Sequence, residues 1–326
     1  ILAIIYWFTI FPVVLIYGVS ITNTVDSFIV NQLGGPEISR YVLAPLCVGL
    51  MTLALAFGNA IMLKIAQFVV YPLIVALAAV SLYLISQWDL GSFMEAGDHT
   101  AGGVIKAIIL ILPVLVFSFS FVAAISQFSL GMEKEYGADH HAQSDKVIRN
   151  SAILLTVFTM FFVWSCALAM GADGMQEAND KNLPVLSYFA NETGTPFMAY
   201  MAPIVVICAV ASSYFGHALG TIEGSQYLFN LAAPKATKKM SARTLDLWTY
   251  LFIFIATSLV GIFNPSILDM ISVVGGVFFA FMTYLLPIWV IYRVDALARF
   301  RGKKTNYFVA VMGFIVLFAT IWGMFQ

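Results

Sequence analysis

Two stretches of this sequence carry polar groups where almost everything around them is apolar. The first is Leu112-Pro-Val-Leu-Val-Phe-Ser-Phe-Ser-Phe-Val-Ala-Ala-Ile-Ser-Gln127. Pro113 removes a backbone donor and disturbs any helix that runs through it. Ser118, Ser120, Ser126 and Gln127 carry side chains able to satisfy the backbone groups so freed. Exposed backbone of that kind binds small polar ligands through its own N–H and C=O groups. An ordinary Pro-kinked helix, with its serines bonded to the preceding turn, accounts for the same residues. The second stretch is Ala209-Val-Ala-Ser-Ser-Tyr-Phe-Gly-His217. Ser212 and Ser213, one turn after Ala209, can offer oxygens to a hard cation such as Na⁺, with backbone carbonyls completing the shell. They serve as readily as small packing residues at a helix contact. His217 and Glu223 follow as ionisable groups on a candidate proton path.

The residues that must position these groups are hydrophobic to an unusual degree. Of 326 residues, 61% are hydrophobic and only 10% charged, and the mean hydropathy is +0.92. A water-facing globule carries roughly a quarter charged residues. This chain cannot coat one, so it belongs in a bilayer. Its net charge of −1 argues against nucleic-acid binding, which needs a basic stripe. Cys47, Cys166 and Cys208 all fall inside apolar runs and read as small packing residues. The sequence contains no zinc-protease helix motif, no glycine-rich phosphate loop and no Gly-x-Ser-x-Gly elbow, so an enzyme is not expected.

Apolar windows of about 20 residues, the length that crosses a bilayer, sit near 1–22, 41–57, 60–86, 104–130, 148–170, 197–220, 246–263, 267–292 and 306–325. They predict an all-α integral membrane protein with nine spans, a single transmembrane domain over 1–326. The connections sort by charge. Lys64, then Lys134, Lys146 and Arg149, then Lys235, Lys238, Lys239 and Arg243, then Arg293, Arg299, Arg301, Lys303 and Lys304 all lie in the even connections. Only Arg40, Lys106 and Lys181 lie in the odd ones. The positive-inside rule makes the even connections cytoplasmic, puts residue 1 on the cytoplasmic side and sends the C-terminus outside. In the eighth window, Gly275-Gly276 ahead of Pro287 signals a close helix contact or a hinge. In the first, Pro12 with Phe8, Phe11 and Tyr17 can face a substrate cavity.

Several stretches together resemble one known family. They are Phe11-Pro-Val-Val-Leu-Ile-Tyr-Gly-Val-Ser-Ile-Thr-Asn-Thr-Val-Asp-Ser-Phe28, Pro113-Val-Leu-Val-Phe-Ser-Phe119, Glu135-Tyr-Gly137, Leu186-Ser-Tyr-Phe-Ala-Asn191, Phe215-Gly-His-Ala-Leu-Gly-Thr-Ile-Glu-Gly224 and Asn264-Pro-Ser-Ile-Leu268. They are similar, in order along essentially the whole chain, to the hydroxy/aromatic amino acid permeases, particularly the bacterial serine and threonine permeases.

That resemblance implies the amino acid–polyamine–organocation superfamily and a five-plus-five inverted-repeat transporter fold with eleven spans. Against that plan the nine spans are the third to the eleventh, and the first two helices are missing. It further implies a secondary active transporter in a bacterial inner membrane, taking up an amino acid by cation symport. The broken helix of the family falls at Ser118, Phe119, Ser120 and Phe121, which with Phe11 and Tyr17 become the expected substrate-binding residues. Ala209, Ser212 and Ser213 become the expected Na⁺ ligands. The serine and threonine permeases typically carry Lys where this chain has Ser212, and the loss of that fixed charge points to Na⁺ as the coupling cation. They also carry Asn-His-Ser-Pro at the break, where this chain reads Ser120-Phe-Val-Ala123, so an aromatic amino acid stands beside serine and threonine as the expected substrate. The alternatives are an H⁺-coupled permease for another small substrate and a non-transporting membrane sensor or subunit.

Overall fold

The computed structural model describes residues 2–56, 59–95, 97, 99–192, 195–238 and 240–325, with the side chains of 59–67, 92, 93, 95, 126, 127 and 236 excepted. The expectations placed on the side chains of Lys64, Ser126, Gln127 and Lys239 therefore fall outside the described residues.

All regular structure among the described residues is helical. The helices are α1 (Leu2–Ser27), α2 (Arg40–Leu55), α3 (Asn59–Leu84), the short α4 (Leu90–Glu95), α5 (Ala101–Ser118), α6 (Val122–Tyr136), α7 (His140–Asp180), α8 (Val185–Glu192), α9 (Pro196–Ala232), the single turn α10 (Pro234–Thr237), α11 (Ala242–Phe263), α12 (Ile267–Val273), α13 (Leu286–Arg293) and α14 (Lys304–Gly323). Eight helical stretches among the described residues are long and apolar enough to cross a membrane. The second expected span is the shorter helix α2, of 16 residues. Apolar composition forces this outcome, because lipid offers no partner to an unpaired backbone group and a helix pairs them internally.

The helix α1 is the axis of the molecule. It packs along α9, and also against α2 and α11. One side of α1 sends Val14 and Ile21 into a core shared with α2, α3 and α9. Another sends Val13 and Ile16 towards Val116 of α5, Phe279 and Val316 of α14. Tyr17 packs against both clusters.

Three departures from straight helices shape the interior. Within α7, Gly171 has φ 65° and ψ −176°, a conformation open essentially to glycine alone. The long helix turns there, and the segment up to Asp180 leaves the direction of the span. Between α12 and α13 the backbone widens into π-helix over Val274–Phe279 and again over Phe281–Leu285. Gly275 and Gly276 lie in the first of these and allow close approach. A Cβ on Gly275 would meet the Pro113 carbonyl and, at 2.9 Å, Phe117 Cβ. A Cβ on Gly276 would overlap the Thr320 side chain of α14. The glycine pair is thus a seat for two neighbouring helices. The third departure is the gap between α5 and α6.

Candidate functional site

The chain that reads as one apolar window over 104–130 is two helices. The first, α5, stops at Ser118, and α6 starts at Val122. The last turns of α5 close on themselves. Pro113 sits inside α5 and cannot donate to the turn before it. The Ser118 hydroxyl donates to the Val114 carbonyl at 2.8 Å, and the Phe119 N–H closes the last turn on Leu115 O at 3.0 Å. Phe119 and Phe121 then take φ near −105° with ψ near +12°, which ends one helix and starts the next. Carbonyls at the end of α5 and N–H groups at the start of α6 lack helical partners, and each helix end carries about half a charge of opposite sign. A gap of this kind inside a membrane suits a small zwitterion.

The gap lies between cavities. One, of about 450 Å³, is lined by Tyr6, Phe119, Ser120, Phe121, Thr283 and Pro287, among others. A second, of about 240 Å³, shares Phe119, Ser120 and Thr283 and extends to Val316 of α14. A third, of about 390 Å³, is bounded by Tyr17 and Ser20 of α1, Phe117 of α5, Val210 of α9 and the loop from Asn179 to Val185. The Ser120 and Thr283 hydroxyls are 3.3 Å apart, so the π-helical segment contributes directly to the gap.

On α9 the Ser212 hydroxyl donates to the Ala209 carbonyl at 3.0 Å. The Ser213 carbonyl lies 3.0 Å from His217 Nδ1. The Tyr17 phenol interacts with Ser213, and its ring meets that of His217 edge-on at 5.5 Å. Tyr17 is thus the side chain that joins the α9 serines to the cavity beside α5. Two residues expected at the site stand elsewhere. Phe11 is buried in an aromatic stack, 4.6 Å from Trp7 and 5.2 Å from Phe252. Ser118 is exposed and bonded within its own helix.

The other end of the third cavity is closed by a polar knot. Asn23 of α1 donates to Asn182 O at 2.7 Å and to Asn264 Oδ1 at 3.0 Å. Asn182 donates to Asn264 Oδ1 and to the Pro265 carbonyl, both at 2.9 Å, and accepts from the Ile267 N–H at 2.8 Å. Arg40 donates to Asn23 Oδ1 at 2.8 Å and to the Gly261 carbonyl at 2.7 Å. Asn182 and Asn264 both hold left-handed backbone, φ 52° and 51°, which Asn tolerates better than other non-glycine residues. Outside the knot lies a polar cavity of about 540 Å³ that contains Asp26, Glu37, Arg40, Lys181 and Glu192. Leu183 borders this cavity and the apolar one beneath it. Nearby, the Tyr188 phenol is pushed up to about 12, first by its hydrogen bond to Glu177 and then by burial.

Sequence reasoning missed Thr283 and the asparagine knot. Thr283 lies in an apolar run with nothing to mark it, although Gly275-Gly276 and Pro287 bracket its segment. Asn23 and Asn264 stood in stretches that carry the family resemblance, which was the available signal.

Known proteins share this sequence pattern along its length. A family model described as transmembrane amino acid transporter protein matches residues 2–326. The chain belongs to the transmembrane amino acid transporter family. The serine transporter SdaC of Escherichia coli (strain K12) is 34% identical over 330 residues, an alignment covering 100% of this chain and 77% of that protein. The threonine/serine transporter TdcC of Yersinia enterocolitica is 35% identical over 340 residues, covering 98% of this chain and 77% of its own length. TdcC of Escherichia fergusonii is likewise 35% identical, over 341 residues. The family and these relatives are transporters, not enzymes, in agreement with the resemblance read from the sequence. This transmembrane amino acid transporter is therefore a multi-pass membrane protein, with its helix break in the membrane-spanning part.

Proposed function

We propose that this protein is a secondary active transporter that takes up serine, threonine or a related amino acid across a bacterial inner membrane, coupled to Na⁺. The observation that carries the reading is the break at Phe119–Phe121, with cavities on its flanks, in a chain whose relatives are serine and threonine/serine transporters. The free ends of α5 and α6 hold the ammonium and carboxylate of the substrate, and Ser120 with Thr283 faces its side chain. The five-plus-five inverted-repeat layout belongs to this reading, because an unwound helix at mid-membrane is where that layout binds its cargo. The aromatic lining from Phe119 and Phe121 supports an aromatic amino acid as a second substrate.

Na⁺ is cargo here. Ala209 O and the Ser212 hydroxyl, 3.0 Å apart, can enter one coordination shell, and the Ser213 hydroxyl extends it. Hard cations take about six oxygens, so these residues supply part of the shell. Loading the ion replaces the Ser212–Ala209 hydrogen bond with two ion contacts. A proton is the alternative coupling ion, and the observation that favours it is His217 packed on Tyr17 and Ser213. The basic connections face the cytoplasm in this reading, and the asparagine knot faces outward.

The test is uptake of labelled serine, threonine and phenylalanine into proteoliposomes holding the full-length protein, under imposed Na⁺ or H⁺ gradients. Uptake is expected to collapse when choline replaces Na⁺, and Ser212→Lys is expected to remove the Na⁺ dependence. Uptake unchanged in choline overturns Na⁺ coupling, and no uptake of any amino acid overturns the transport reading itself. Maleimide labelling of a cysteine introduced at Lys303 from the cytoplasmic side alone supports the orientation.

A further inference from the structure

A group of cations at the basic end of the bundle lies apart from the cavities that flank the helix break. The connection from α13 to α14 does not hang free; it folds back on α13. Arg301 turns inward, donating from Nε to the Ile291 carbonyl at 2.9 Å and from Nη2 to Asp295 at 3.0 Å. Buried Asn306 donates to the Phe300 carbonyl at 2.9 Å, and the Gly302 N–H reaches the Tyr292 hydroxyl at 3.3 Å. With the backbone so fixed, Arg299 Cζ sits 4.8 Å from the centre of the Phe300 ring and Lys303 Nζ 5.0 Å from the same centre. Arg293 lies 5.9 Å over Trp289.

Two features separate this connection from an ordinary basic loop. The charge bias that orients a membrane protein needs only the presence of Lys and Arg, not a folded loop. Here Arg301 uses its charge internally on Asp295, whereas Arg299, Lys303 and Lys304 are exposed and have no carboxylate within 4 Å among the described residues. The surrounding aromatics also mark a depth. Trp289, Tyr292, Tyr307 and Phe308 are 48–67% exposed at the adjoining ends of α13 and α14, the placement of an interfacial aromatic belt. The free cations therefore stand next to exposed aromatic and apolar surface that acyl chains can cover.

We propose that this folded connection is a binding site for an anionic phospholipid, with Arg299 and Lys303 holding the headgroup phosphate and Lys304 and Arg293 flanking it. The aromatic ring shared by the two cations keeps them on one short stretch of surface. A phosphate contacting both replaces hydration that neither cation can exchange for an internal carboxylate. The inference rests on the multi-pass membrane placement and not on the identity of the transported substrate.

The test uses the full-length protein in nanodiscs of phosphatidylcholine with or without phosphatidylglycerol, and native mass spectrometry to count retained lipid. The wild-type protein is expected to retain phosphatidylglycerol over phosphatidylcholine. Each surface cation contributes roughly fivefold in affinity, the equivalent of about 1 kcal/mol, so Arg299→Gln with Lys303→Gln is expected to lower phosphatidylglycerol retention by about 25-fold. The single change Lys303→Gln, at an exposed side chain, is expected to lower it about fivefold without disturbing the Arg301 anchor. The control pair Lys146→Gln with Arg149→Gln, equally exposed on α7, should leave retention unchanged. Equal loss in the control pair means diffuse attraction and overturns the site. So does a wild-type protein that shows no preference for phosphatidylglycerol.

Discussion

The pair α1 and α9 and the pair α5 and α6 are built on opposite plans. In the most apolar part of the α1 span 44% of residues are buried within the protein, and in that of α9 39%, against 11% for Ala101–Ile125. The first pair is held by interdigitated side chains, with Ile10 against Gly220, Trp7 against Gly224 and the Trp7 indole donating to the Ser225 hydroxyl at 2.8 Å; Tyr214 of α9 is fully buried, its hydroxyl 3.0 Å from Thr52 of α2. The second buries less of its surface: α5 packs on the π-helical segment, α12 and α14, with the Pro113 carbonyl against Gly275, the Phe117 ring against Phe279 and Ser120 near Thr283. A dense pair resists displacement, because packed interiors transmit strain and do not deform gradually. A pair with less buried surface gives up less packing when it shifts. The molecule thus sets a densely buried frame beside an interrupted, more exposed pair.

Mutations can break or sharpen that contrast. The largest expected effect is in the frame. Tyr214→Ala should destabilise the protein by about 3–5 kcal/mol, as large-to-small changes of buried aromatics do, read as a fall in melting temperature in detergent. Gly276→Val forces a side chain onto Thr320 and should cost about 1–3 kcal/mol through overpacking; a melting temperature equal to wild type would show that the π-helical segment has room to move. At the outer end, Asn264→Ala removes the shared acceptor of Asn23 and Asn182 and should cost about 2 kcal/mol. Faster proteolysis of the loop at Lys181–Val185 is the accompanying readout. The smallest stability effect belongs to Phe119→Ala at the gap, about 1–2 kcal/mol, as expected for a partly buried side chain. The same change should lower amino acid uptake at least tenfold. If it unfolds the protein as Tyr214→Ala does, the gap is part of the frame and the contrast fails.

Much of the fold was readable because a bilayer leaves so few options. Composition alone specified helices, and each apolar window falls on helical structure. The Pro113–Gln127 stretch carried two readings: the helix is interrupted at Phe119–Phe121, while Ser118 bonds back to Val114 as in an ordinary kinked helix. What stayed hidden depends on contacts between distant segments. The window over 148–170 gave no sign of the turn at Gly171, and in 267–292 Gly275-Gly276 with Pro287 marked a contact or hinge without showing the π-helical widening or the neighbour Thr320. Thr283 is one hydroxyl in an apolar run, and only the fold sets it beside Ser120. Phe11 shows the limit of the aromatic signal. An aromatic in the right helix was expected to face substrate, and Trp7 with Phe252 claims it instead.

The short helix α2 has a consequence for the membrane around it. Sixteen residues span about 24 Å, less than the roughly 30 Å thickness of a bilayer's hydrocarbon core. Its outer face is apolar and open, with Tyr41, Val42, Leu46, Leu50 and Leu53 all more than half exposed. Hydrophobic mismatch of this sort is relieved by thinning the adjacent lipid or by drawing flanking polar groups towards the surface. Arg40, tied into the asparagine knot, has little freedom to shift. An α2 held in place at Arg40 is matched by hydrocarbon of about 24 Å, the thickness that shorter acyl chains provide.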